Sequence, residues 1–130
     1  MLGIYQVEAN IKKMYDASGA EMEGNKETFY VIANDNLSAA CKLGYMIARW
    51  KFEGDNYLQS QNTDPVILSC EKINLDSGKK FILRHPSLRL AYYWDLYSQE
   101  WVADSNKATV INAFTLQDFP VEGIVEALRD

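Results

Sequence analysis

Side chains able to move a proton or hold a metal are few in this sequence and poorly spaced. His85 is its one histidine. An imidazole titrates near neutrality and serves as a general base when a carboxylate orients it, and Asp95 and Glu100 are the next acidic residues along the chain. No H-x-x-x-H or H-E-x-x-H spacing accompanies His85, so neither a zinc site nor a triad is signalled, and it reads as a surface or structural residue. On a helix, residues 95 and 100 would point about 140° apart, which makes them solvated charges and not an acid–base pair. Asp16, Glu21 and Glu23 crowd one segment but lack the D-x-[DN]-x-[DN]-G order of a calcium loop. Cys41 and Cys70 show no C-x-x-C pattern and read as reduced, packed thiols. Phosphate-cradling, dinucleotide and nucleophile-elbow motifs are all missing. The sequence therefore assigns no catalytic residue, no metal and no cofactor.

What the chain does concentrate is recognition chemistry. Five of its sixteen aromatic residues, Tyr92, Tyr93, Trp94, Tyr97 and Trp101, fall in one ten-residue window. Large rings with a polar handle build either a small core or a docking surface. Two periods fit the window. As a helix, Leu90, Trp94, Tyr97 and Trp101 make one stripe; as a strand, Leu88, Leu90, Tyr92, Trp94 and Leu96 alternate. A hairpin would have to turn through residues 96–100 without a glycine or asparagine to take a positive φ, so the reading favours helix. The stripe then packs on a sheet, and Trp94 and Trp101 become core residues first and contact residues second. Tyr92 and Tyr93 project elsewhere, and with Arg89 and the Lys79–Lys80 turn they form the candidate binding group. Lys79, Lys80, Arg84 and Arg89 beside aromatics also suggest an alternative, single-stranded nucleic acid held by phosphate contact and stacking.

The elements that must position these residues follow from periodicity and turn chemistry. Residues 4–15 alternate as a strand, a polar loop follows, and residues 28–33 return as its hairpin partner. Asp35 or Asn36 caps a helix ending near Gly54, with Leu37, Ala40, Cys41, Gly44, Ile47 and Ala48 as its apolar positions. Beyond a polar linker at 54–64, residues 66–75 and 80–84 read as a second hairpin about the Asp76-Ser77-Gly78 turn. After the aromatic window come a strand at 108–114 and a short C-terminal helix displaying Val121, Ile124, Val125 and Leu128. The expected fold is α+β: a mainly antiparallel sheet of about five strands with two or three helices on one face, in the order ββαββαβα. The halves share an element order, which admits an internal duplication.

Composition narrows the function classes. A chain of 130 residues with 48% hydrophobic and 24% charged residues suits one soluble globular domain spanning the whole length. Its apolar runs are too short to cross a bilayer and its first residues lack a signal-peptide pattern, so the expected location is cytoplasmic. A net charge of −5 disfavours non-specific adhesion to nucleic acid or anionic lipid. These features point to a non-enzymatic interaction module that self-associates or binds a specific protein through an aromatic-rich face, with a phage or mobile-element inhibitor, adaptor or assembly protein as one version. A small ligand-binding or enzymatic α+β domain is the other alternative.

Overall fold

The computed structural model describes residues 1–10, 14–15, 17–18, 21–22, 26–52, 66–75, 78–87 and 90–128. Along the chain run β1 (Gly3–Asn10), β2 (Met14–Tyr15), β3 (Glu21–Met22), β4 (Lys26–Ala33), α1 (Asn36–Phe52), β5 (Val66–Lys72), β6 (Phe81–Arg84), β7 (Tyr93–Asp95), β8 (Glu100–Val102) and β9 (Ile124–Ala127). Seven strands form one sheet, antiparallel at every pairing, in the order β5-β1-β4-β9-β6-β7-β8; β2 and β3 make a separate two-stranded hairpin.

Alternation along β1 sets the two faces of the sheet. Tyr5, Val7 and Ala9 are buried on one face with Val31 and Ala33 of β4, and Ile4 is buried on the other with Ile32, as a side-chain period of two requires. The pair runs in full register from Gly3 opposite Ala33 to Asn10 opposite Lys26. α1 covers the first face. Its start is fixed by Asp35, whose Oδ1 accepts the Ser38 N–H at 2.7 Å while its carbonyl accepts the Ala39 N–H at 3.0 Å, satisfying backbone donors that a helix start otherwise leaves unpaired. Ala39, Leu43, Met46 and Ile47 go down onto the sheet. The opposite face is closed without a long helix. Ile111, Leu116 and Phe119, carried by a segment with 3-10 turns at Ser105–Lys107 and Leu116–Asp118, pack against Phe81, Leu83 and Val125.

The α+β class holds, but the expected five strands with two or three helices do not: the sheet has seven strands, and α1 is the one α-helix among the described residues. Residues 66–75 and 80–84 do not form a hairpin. β5 pairs with β1 at one edge and β6 pairs with β9, with three strands between them, so the described residues show no repeat of hairpin and helix. Residues 108–114 form no strand; they are tied by single bonds to two different strands, Thr109 N–H to Trp94 O at 3.0 Å and Ile111 N–H to Phe81 O at 2.8 Å. The C-terminal helix is replaced by β9, because Pro120 and Gly123 interrupt the helical run and Ile124-Val125 is β-branched. Gly123 is buried, and a Cβ at that position would collide with the Leu83 side chain, so its missing side chain lets the chain enter the sheet there. α1 also turns a different face inward than expected: Leu37 is 75% exposed, and Cys41 and Ala48 are exposed. Two apolar stripes coexist on this helix, and the one with the bulkier Leu43, Met46 and Ile47 takes the sheet. The linker at 54–64 lies outside the described residues.

β4 and β9 share a single residue pair, Tyr30 opposite Val125. The sheet therefore has a seam between a β5-β1-β4 half under α1 and a β9-β6-β7-β8 half, and a second thin junction inside the latter, where β6 and β7 pair only Arg84 with Tyr93.

Candidate functional site

The aromatic window is a hairpin, not a helix. β7 and β8 pair Tyr93 with Val102, Trp94 with Trp101 and Asp95 with Glu100. The two indoles meet edge to face at 5.1 Å between centroids, and the His85 ring stands edge-on to Trp101, also at 5.1 Å. Both tryptophans pack half-buried against the second core cluster, a geometry that suits the ring quadrupoles. The turn needs one residue at positive φ, and Gln99 supplies it at 54°. Asp95 Oδ1 accepts the Tyr97 N–H at 3.0 Å, and Leu96 N–H donates to Thr109 Oγ1 at 2.9 Å. An aspartate that bonds the backbone two residues on can nucleate a turn without glycine. Tyr97, expected on the packed stripe, is instead carried to the hairpin tip, where it is 93% exposed.

A second turn repeats this device. Asn112 Oδ1 accepts the N–H groups of Phe114 and Thr115, both at 2.9 Å, and Asn112 O accepts the Leu116 N–H at 3.0 Å. Phe114 is held outward at 93% exposure. Between the turns lies a groove of about 760 Å³, bounded by Asp95, Leu96 and Tyr97 on one side and by Lys107, Asn112 and Thr115 on the other. Phe114 stands in the chain between groove-lining Asn112 and Thr115. Asp104 Oδ1 accepts the N–H of groove-lining Asn106 at 2.9 Å.

The described residues among those singled out from sequence lie at both ends of β6. Tyr93 lies opposite Arg84, whereas Lys79 and Lys80 precede Phe81 at the other end of β6, roughly 13 Å away at strand rise. Lys79 Nζ donates to Tyr30 Oη at 2.6 Å and sits over the Tyr30 ring at 4.9 Å. Lys80 is exposed, and its carbonyl accepts the Leu128 N–H at 2.8 Å. Arg84 pairs with Glu126 at 3.7 Å. Tyr92 is exposed, with its carbonyl accepting the His85 N–H at 2.8 Å, while Tyr93 is half-buried. Arg89 lies outside the described residues, as do Asp16 and Glu23. His85 Nδ1 accepts the Ser87 N–H at 3.0 Å, so this imidazole organises its own loop.

Two chemical expectations change. Asp95 and Glu100, separated on the helical reading, are cross-strand neighbours. Cys41 is exposed, not packed, while half-buried Cys70 has its thiol pKa pushed up by burial. Among the described residues no three His, Cys, Asp or Glu side chains gather as a metal site requires, and no helix is long and apolar enough to cross a membrane. Tyr97 and Phe114 were missed as a pair, although a signal exists: each follows an Asp or Asn by two residues, in Asp95-Leu96-Tyr97 and Asn112-Ala113-Phe114. No protein-family model, curated protein or solved structure matches the chain.

Proposed function

We propose that this chain is a non-enzymatic interaction module that engages a protein partner, a second copy of itself or a foreign protein, through the face bearing Tyr97 and Phe114. The observation that carries this reading is the presentation of two large aromatic rings at 93% exposure on turns pinned by side-chain-to-backbone bonds. Aromatic residues dominate binding hot spots, and anchors on preorganised turns lose little entropy on docking. The groove beside Tyr97 offers Lys107 and Asp95 as polar partners in its lining. Trp94 and Trp101 support the platform and do not form the contact. The proposal extends to one domain acting in the cytoplasm, where the free thiols Cys41 and Cys70 suit a reducing compartment; an inhibitor, adaptor or assembly role is compatible with it. The basic-patch alternative is weakened because Lys79 and Arg84 already have partners.

The test is light scattering over a concentration series on wild type, Tyr97→Ala and Phe114→Ala. Both side chains are exposed, so both variants are expected to melt with wild type. If the protein self-associates, either change lowers its mass toward the monomer. If wild type is monomeric, a partner retained by it from its host is lost from both variants and kept by Tyr45→Ala, which changes an exposed tyrosine on α1. Association that persists in the Tyr97→Ala/Phe114→Ala double variant refutes the reading.

A further inference from the structure

Where β4 and β9 part, the sheet opens into a cleft of about 430 Å³ roofed by α1. Its lining is mainly apolar and includes Leu2, Ile32, Met46 and Val121. The volume is in the usual range for small-molecule sites, which combine an apolar body with a few placed polar groups. Lys42 is one such group. Its half-buried side chain reaches across from α1, and Nζ donates to Ile32 O at 2.9 Å.

Strand parity explains that bond. Ile4 O accepts the Ile73 N–H, so Ile4 turns its polar groups away from β4, and its partner Ile32 turns its own toward the parted β9. Lys42 caps a carbonyl that β9 would otherwise satisfy. One bond leaves two ammonium donors. Among the described residues no carboxylate comes within ion-pair distance of Nζ; Glu122, on the opposite wall, acts on it only from farther off. Desolvation holds the Lys42 pKa below the ordinary lysine value, against the pull of Glu122. A cation is thus held in an apolar wall without a close counter-ion, an arrangement that an incoming anion relieves. Lys42 brings a single ammonium to the cleft wall, a charge that one carboxylate matches.

We propose that this cleft binds an amphipathic monocarboxylate, its carboxylate on Lys42 Nζ and its apolar body against Met46 and Val121. The site is separate from the Tyr97–Phe114 face and stands or falls independently of it.

The probes are decanoate, 1-decanol and decylammonium, titrated into ¹⁵N- and methyl-labelled protein and followed by NMR. Decanoate is expected to bind saturably, shifting the Met46, Ile32 and Val121 signals, with an affinity at least tenfold above decanol; decylammonium leaves these signals in place. Lys42→Met is expected to lose that tenfold preference while still binding decanol. Val121→Trp, at an exposed position of the wall, is expected to block both, which keeps the test valid if Lys42→Met fails to fold. Equal affinity of wild type for decanoate and decanol, undiminished decanoate binding by Lys42→Met, or no binding by any probe overturns the proposal.

Discussion

Asp35 shows how much one side chain settles. Hydrogen bonds from Ser38, its backbone N–H foremost, hold the Asp35 carboxyl below the ordinary aspartate value. A depressed native pKa means the unfolded chain binds protons more readily, so the stability it gives is full above the unfolded value, about 3.9, and is lost as the pH falls through the lower native one. Asparagine keeps a cap acceptor but has no charge to titrate or to meet the helix N-terminus. Asp35→Asn is therefore expected to melt below wild type at neutral pH, and the gap should close as the pH falls from roughly 5 to 2. Thermal melts across that range check this, and a gap independent of pH would show that the charge contributes nothing. Lys42, with a pKa lowered by burial, works in the other sense: folding gains as the alkaline pH rises from its native value toward that of a free lysine.

At the scale of elements, the β7–β8 hairpin carries a strain that can be read directly. Gln99 sits at φ 54°, a conformation that costs a residue with a Cβ about 1–2 kcal/mol and glycine very little. Gln99→Gly gives part of that back to the entropy of a looser unfolded chain, so a net gain of about 0.5 kcal/mol is expected, read as a small rise in melting temperature; a fall would mean that the Gln99 side chain holds the turn. This residue also explains what the sequence concealed. The β1–β4 hairpin and α1 were legible because an eight-residue alternation and a capped helical run are local signals. The window fitted both periods, and the deciding rule, that a hairpin turn wants glycine, was defeated by Gln99 aided by the Asp95 carboxylate. β9 failed for a related reason: Val121, Ile124, Val125 and Leu128 repeat at helical spacing, yet Gly123 and the Leu83 side chain beside it favour a strand. Site residues were harder still. The exposure of Tyr97 and Phe114 follows from where two turns fall, and the Lys42 cleft from strands distant in sequence that part at Ile32.

At the scale of the molecule, the seam between β4 and β9 decides how the sheet holds together. Its one residue pair, Tyr30 with Val125, is supplemented by the Tyr30 ring, which meets Phe81 at 5.0 Å with planes 58° apart and accepts Lys79 Nζ at its hydroxyl. Tyr30 thus joins the halves through backbone, ring and hydroxyl at once. Elsewhere the junction relies on side-chain packing on both faces of the sheet, where Ile124 joins the cluster under α1 and Ile4 and Ile32 meet Phe81, Leu83 and Val125 on the other side. Cooperative units in proteins tend to divide where the fewest backbone bonds cross. Tyr30→Ala is expected to loosen the β9-β6-β7-β8 half first, with amides of residues 81–84 and 124–127 exchanging faster while the β1–β4 ladder, bonded over eight pairs, keeps its protection. Tyr30→Phe, which removes only the hydroxyl, should lie between wild type and Tyr30→Ala. Native-state hydrogen exchange resolved by residue distinguishes the outcomes, because equal acceleration on both sides of the seam would show that the two halves open as one cooperative unit.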